Sequence, residues 1–221
     1  MMDLAANSRM ITAKRGDIVT VSSTEAGHAY LVKEGHLRVI RVGTGGKAVS
    51  LDILEPGDVI GITPIVTEDG DADRAECLNE VLFCRMPTTK LREVLEKHPS
   101  LALHFSKLMG LRRKSVETRL IDIAFCTVKV RLARLLIELT SRFGVCSESG
   151  TLINLKLTHQ EAADMIGSNR EAANRAMSQL IDAGAVTYSG KRVLVIDMAK
   201  LQEEAELHFD WRNVSADTAD E

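Results

Sequence analysis

The spacing of apolar and polar positions changes part-way along the chain. From residue 11 to about 87, apolar residues come in short runs such as 30–32, 37–42 and 49–54. Glycines at 27, 35, 43, 45, 46, 57 and 61 punctuate them. Short strands at regular spacing with glycine turns predict an antiparallel roll or barrel. The polar, acidic stretch 67–73 reads as a loop.

Pro87 closes the strand region, and the pattern then turns helical. A short helix is predicted over 88–97. Pro99 interrupts, and Ser100 is placed to cap a long helix from Leu101 to about Ala124, in which Gly110 is the one breaker. Met109, Val116 and Ile123 recur every seven residues, with Leu120 on the same stripe, as a helix–helix seam requires. Arg112 and Arg119 lie near that stripe, so a helix packed on its own barrel is the competing reading. A further helix is read over 125–143, with Leu132, Leu135, Leu136 and Leu139 on one side. A linker at 144–150, a strand at 152–156, two helices, a hairpin at 185–196 and a last helix from Asp197 to about Leu207 follow. The end, 210–221, is expected to be disordered.

The two central helices of that last region carry the sharpest signal. Thr158-His159-Gln160-Glu161 is a capping box, in which the Thr hydroxyl and the Glu carboxylate each take a backbone N–H of the other residue. Gly167 suits the end of that helix, because glycine takes positive φ at no cost. Ser168-Asn169-Arg170-Glu171 reads as a second capping box. Two helix starts ten residues apart, a tight glycine turn between them and small Ala162 and Ala163 at the crossing are the logic of a helix-turn-helix. In the second helix Ala173, Ala176, Met177, Leu180 and Ile181 share one face, and Glu171, Asn174, Arg175 and Ser178 the other. Arg170, Glu171, Arg175 and Asn174 are therefore the candidates for reading base edges, since Arg bonds both guanine acceptors and Glu accepts from cytosine N4. Thr158, Gln160, Ser168 and Asn169 at the helix starts, and Lys191 beside Arg192 in the hairpin, are candidates for phosphate contact. A surface helix with exposed charges, or a winged helix that binds protein, is the alternative to a DNA reader.

Charge sharpens this picture. The net charge is −3, which disfavours a protein that coats nucleic acid, but residues 105–142 hold nine Lys/Arg against three Asp/Glu, and 201–221 hold seven Asp/Glu against one Arg. A local basic surface, not the whole-chain balance, is what phosphate contact needs. Hydrophobic residues make up 45% of the 221, enough for a core in each half. There is no run of 18 apolar residues and the start lacks the order of a secretory signal, so no membrane span and a cytoplasmic location are expected. Cys77, Cys84, Cys126 and Cys146 form no C-x-x-C pair, which argues for free thiols and against a zinc site. On one strand, Cys77 and Cys84 would point to opposite faces, which disfavours a disulfide switch. No nucleophile–base pair stands out, so an enzyme is not expected.

The residues resemble the Crp–Fnr (catabolite activator / fumarate–nitrate regulator) family over nearly the whole chain. In front the resemblance rests on Tyr30-Leu31-Val32-Lys33-Glu34-Gly35-His36-Leu37-Arg38-Val39 and Leu54-Glu55-Pro56-Gly57-Asp58-Val59-Ile60-Gly61. Behind, it rests on Leu157-Thr158-His159-Gln160-Glu161 and Gly167-Ser168-Asn169-Arg170-Glu171-Ala172-Ala173-Asn174-Arg175. It implies an α+β chain. Its parts are an N-terminal antiparallel β-roll of the cyclic-nucleotide-binding-like jelly-roll type (1–99), a long dimerisation helix (100–125) and a C-terminal winged helix-turn-helix (126–209), followed by the acidic tail. It further implies a bacterial homodimer that reads a TGTGA-like palindrome with one recognition helix in each of two successive major grooves, with RNA polymerase as a further partner. The family's Arg-Glu-x-x-x-Arg reading set falls on Arg170, Glu171 and Arg175. Ala172 departs from the Thr often found there near a phosphate.

The resemblance also bears on the effector. Cyclic-AMP binders of the family hold the sugar-phosphate in a Gly-Glu…Arg-Ser cassette, matched here by Gly61-Ile62 and Arg74-Ala75. Thr-Ser positions that meet the base fall on Val116 and Glu117. Gly61, Arg74, Val116 and Glu117 thus mark the effector pocket, but most of the polar partners are missing, so no cofactor is expected and cyclic AMP is not the expected effector. An iron–sulfur cluster would need close cysteines, and none precedes Cys77. His28, His36, His98 and His104, the nominal haem ligands, read as surface residues. A cyclic-nucleotide-dependent regulator, or a haem- or thiol-based sensor with the same DNA-binding domain, remains the alternative.

Overall fold

The structure, a computed structural model, describes residues 8–21, 27–43, 48–61 and 73–206. The chain parts inside its longest helix, between Glu117 and Thr118, into two units with separate cores.

The first unit is built from eight strands: β1 (Arg9–Ala13), β2 (Ile18–Val21), β3 (His28–Glu34), β4 (Leu37–Val42), β5 (Ala48–Leu54), β6 (Val59–Ile60), β7 (Asp73–Cys77) and β8 (Val81–Pro87). They pair antiparallel in two sheets, ordered β1-β8-β3-β6 and β2-β7-β4-β5. Val32, Ile60, Val81 and Phe83 from one sheet meet Leu37, Leu54, Ala75 and Cys77 from the other in a single apolar core, which makes this the expected roll. Strand β8 is buried on both faces. Phe83 points into that core, whereas Cys84 and Met86 join Ala29, Val59 and Leu91 of the following helix, with Phe105 packed alongside. Gly35 explains the tight β3–β4 corner: its φ is +83°, and a Cβ there would stand 2.1 Å from the carbonyl oxygen of Glu80.

Helix α1 (Thr88–Lys97) has the bounds the sequence gives. Helix α2 (Pro99–Phe125) starts earlier than expected. Pro99 is its first residue, where a missing N–H costs nothing, and the carbonyl of His98, not the side chain of Ser100, accepts from Leu101 and Ala102. The next helix also differs. Cys126 and Thr127 separate α2 from α3 (Val128–Phe143), and Thr127 caps α3 by accepting from the Val130 N–H.

The second unit buries Leu132, Leu135, Leu136 and Leu139 of α3, as the sequence indicates. The stretch 144–150, expected as a linker, is instead mostly strand: β9 (Gly144–Ser147) pairs with β10 (Gly150–Ile153), and the strand expected over 152–156 ends at Ile153. Alternation is weak there, since all of β9 is exposed. Helices α4 (His159–Met165) and α5 (Arg170–Asp182), the hairpin of β11 (Val186–Ser189) and β12 (Arg192–Val195), and α6 (Met198–Glu206) complete the unit. Its sheet runs β11-β12-β10-β9, a winged helix-turn-helix. The loop expected at 67–73 lies outside the described residues up to 72, with β7 beginning at Asp73, and so does the tail at 210–221.

Candidate nucleic-acid interface

Helix α4 begins with the expected capping box. The Thr158 hydroxyl accepts from Glu161 N–H at 3.1 Å, and the Thr158 N–H donates to the Glu161 carboxylate at 2.6 Å. Glu161 is buried, so its charge is stabilised by these bonds and by the helix N-terminus. The Gln160 amide donates to the buried Asp164 at 2.7 Å, which engages a side chain expected to meet phosphate. The helix ends at Gly167, whose φ is +60°, and the Ser168 N–H closes the turn on the carbonyl of Ala163.

The second capping box is not formed as expected. Asn169, not Ser168, is the N-cap of α5, its side-chain oxygen accepting from Ala172 N–H at 2.8 Å, and Glu171 stays exposed in the first turn. Both residue types cap well. The Ser168 N–H instead closes the preceding glycine turn, and the helix starts one residue later. Ala173, Ala176, Met177 and Leu180 are buried, while Arg170, Glu171, Arg175 and Ser178 are exposed on the other side. Neither Arg170 nor Arg175 has an ion-pair partner among the described residues. Asn174 departs from the expected face. It is half-buried, and its side-chain oxygen is buried with no hydrogen-bond partner among the described residues.

The wing turn holds Tyr188, Ser189, Gly190 and Lys191, all exposed. The Tyr188 ring lies 6.0 Å from that of His159 at the start of α4, and partial burial pushes the phenol pKa up. This ring contact is not legible in the sequence, although a tyrosine at a hairpin tip is a visible clue.

Much of the basic middle is paired within the chain. Most of its cations have partners there. Arg112 pairs with Asp58 at 2.8 Å and donates to the Val59 carbonyl. Arg113 pairs with Glu117, Arg119 and Arg142 with Glu138, and Lys129 with Glu204. Arg134 pairs with Asp122, and Arg131 donates to the carbonyls of Ile166 and Gly167.

The residues marked for the effector come from three different elements or their ends. Gly61 closes β6 and is buried, with φ +81°. Arg74 sits in β7, in the other sheet, opposite Thr20 and Ile40, with its side chain exposed. Val116 and Glu117 lie on α2, where Glu117 pairs with Arg113. Ile62 lies outside the described residues. All four cysteines are free. Cys77 and Cys84 lie on different strands, β7 and β8, rather than on one, and each is buried in its own apolar cluster. Burial pushes the Cys77 thiol up to about 11. His28 and His36 are half-buried rather than at the surface, with ring nitrogens bonded to Arg85 and Asn79. Among the described residues no group of three His, Cys, Asp or Glu could hold a metal ion, and no helix is long and apolar enough to cross a membrane.

Comparison with known proteins agrees with this architecture. A family model for the cyclic nucleotide-binding domain matches residues 10–98, and one for the Crp-like helix-turn-helix domain matches residues 130–204. The chain belongs to the Crp–Fnr family. It is a Crp-like transcription regulator with a helix-turn-helix DNA-binding domain. Among curated Crp–Fnr relatives, it is 26% identical over 191 residues to the CRP-like cAMP-activated global transcriptional regulator of Mycobacterium tuberculosis, covering 86% of this chain and 85% of that one. It is also 26% identical to the global nitrogen regulator of Synechocystis, over 87% of each. Among solved structures, the c-di-GMP responsive regulator CLP of Xanthomonas campestris superposes with a TM-score of 0.78 at 19% identity, covering 88% of this chain and 96% of that one. FixK2 of Bradyrhizobium japonicum superposes at 0.75 and 17% identity, over 91% and 99%. These two structures share the fold alone.

Proposed function

We propose that this Crp–Fnr regulator acts in the cytoplasm as a homodimer on a TGTGA-like palindrome, engages RNA polymerase there, and does not depend on cyclic AMP. The observation that carries the DNA reading is the outer face of α5. Arg170, Glu171 and Arg175 stand exposed on its first turns, opposite buried Ala173, Ala176, Met177 and Leu180, with the arginines uncommitted to any ion pair among the described residues. An arginine in that position bonds O6 and N7 of guanine, and the glutamate accepts from cytosine N4. Exposed Lys191 at the wing and the polar residues at the helix starts supply phosphate contacts, which position without specifying.

Self-association is supported by α2. No residue of this helix is buried, and Val116 and Leu120 are 41% and 67% exposed. Arg112 and Arg119, which interrupt the heptad stripe in sequence, both turn to partners in their own chain. That leaves Met109, Val116 and Leu120 for a second copy, while Ile123 also touches its own helix-turn-helix.

Independence from cyclic AMP is supported by what stands at the cassette positions. Ala75, where the resemblance places a serine, is packed in the apolar core and offers no hydroxyl. The neighbouring Arg74 is exposed, and Val116 gives no hydrogen bond to a base. Each polar ligand group buried without a partner costs about 1–3 kcal/mol.

Fluorescence anisotropy on a labelled TGTGA–six-base–TCACA duplex, against scrambled DNA, with and without cyclic AMP, tests the proposal. Selective binding without nucleotide, unchanged by cyclic AMP, is the expected result. Binding only in the presence of cyclic AMP would overturn the effector part, and no selective binding would overturn the half-site.

A further inference from the structure

The turn between the two DNA-binding helices is held from outside by α2 and α3. Ile123, in the last turn of α2, places its Cδ1 2.8 Å and its Cγ1 3.2 Å from where a Cβ on Gly167 would stand, so its side chain lies directly over the bare glycine. Arg131, in the first turn of α3, donates through Nη1 to the carbonyl of Ile166 at 2.6 Å and to that of Gly167 at 3.3 Å. Those carbonyls close the C-terminal end of α4, where partial negative charge collects and a cation is favoured. The guanidinium is half-buried, which makes its bonds stronger and its removal costlier than at an open surface.

Two residues beyond Gly167, Asn169 caps α5, and Arg170 is the first residue of that helix. The carbonyls that Arg131 grips therefore sit immediately ahead of the residues that would read DNA. The same end of α2 is fixed to α3 by the Arg134–Asp122 and Arg119–Glu138 pairs. The last turns of α2, the start of α3 and the helix turn form one braced joint.

We infer that Arg131 is a positioning residue for DNA reading, and that with Ile123 it makes the end of α2 the support that aims the recognition helix. The inference rests on the DNA reading proposed above. Arg131 makes no base contact in this scheme. Its loss leaves the phosphate-binding groups in place and loosens the angle at which Arg170, Glu171 and Arg175 are presented. Base-edge hydrogen bonds depend on that angle more steeply than nonspecific phosphate attraction does.

The test uses the full-length protein and a DNA sequence that the wild type enriches from a random library. Affinities for that sequence and for scrambled DNA are measured for wild type, Arg131→Gln and Arg131→Lys, together with thermal unfolding and sedimentation. Arg131→Gln is expected to lose about 10-fold or more in specific affinity, with binding to scrambled DNA and mass close to wild type and only a small fall in melting temperature. Arg131→Lys, which keeps the cation, is expected to recover most of the loss. Unchanged specific affinity in Arg131→Gln would overturn the inference. So would equal loss on both DNAs accompanied by a lower melting temperature, the mark of a merely structural role. A wild type that enriches no sequence would instead overturn the DNA reading on which the inference stands.

Discussion

Arg112 and Asp58 are joined at 2.8 Å, a helix guanidinium on a turn carboxylate, and Arg112 also bonds the Val59 carbonyl and faces Asp52. The contact fastens α2 to the roll beside Gly61, one turn before Val116. Both side chains are mostly shielded, at 23% and 16% exposure, so the pair is worth more than a surface ion pair. Asp58→Ala is expected to destabilise the N-terminal unit by about 1–3 kcal/mol, measured by urea unfolding. An unchanged midpoint would mean that Asp52 and the Val59 carbonyl hold the arginine unaided.

The recognition helix separates two kinds of contact that mutation can tell apart. Arg170→Ala and Arg175→Ala are each expected to cost about 1–3 kcal/mol on the specific site and to relax base choice. Lys191→Ala is expected to weaken specific and scrambled DNA alike and to flatten the salt slope by about 1. Anisotropy titrations at several salt concentrations read both. Sequence-selective loss at Lys191 would refute its assignment to the phosphate backbone.

Gly167 is constrained twice, by its φ of +60° and by Ile123 above it. Gly167→Ala is expected to cost about 1–2 kcal/mol from the left-handed conformation alone, and more from the 2.8 Å approach. Pairing it with Ile123→Ala should return the contact part of that cost but not the backbone part. A thermodynamic cycle of the four proteins measures the difference, and strict additivity would show that the two side chains do not meet.

The buried Cys77 thiol links stability to alkaline pH. Its folded pKa, raised to about 11 first by burial and then by Asp17 and Glu76, lies above the ordinary 9.0 of the unfolded chain. The neutral form is the one the core accepts. Its contribution is complete below pH 9 and is lost as the pH rises towards 11, because the unfolded thiol releases its proton first. Urea unfolding midpoints are expected to fall over that window by more in the wild type than in Cys77→Ala. Equal slopes would place the alkaline loss on other groups.

Periodicity alone located most of this protein. Alternation and glycine spacing gave the roll, and the bounds of α1 were readable to the residue because Pro87 and Pro99 flank it. Thr158, Glu161 and Gly167 announced the helix-turn-helix because capping and positive φ are local chemistry, settled within four or five residues. Where two residues competed for a local role, sequence misplaced it. Ser168 and Asn169 are both good caps, and in the fold Ser168 belongs to the glycine turn while Asn169 caps the helix. The exposed β9 offered no alternation to read, and its pairing with β10 became visible only in the folded sheet.

What sequence by itself determined is the order of most elements, the apolar faces of α3 and α5, and the arginines and glutamate on the outer face of α5. What only the tertiary structure decided is where charge goes. A run of nine cations between 105 and 142 is consistent with a phosphate surface or with internal pairing, since charge along a chain carries no direction in space. Folding brings Asp58, Asp122, Glu138 and the carbonyls of Ile166 and Gly167 against Arg112, Arg134, Arg119 and Arg131, across separations of 12 to 54 residues. Those distant pairings commit the four arginines to bracing within the chain, whereas Arg170 and Arg175 stand exposed with no ion-pair partner among the described residues.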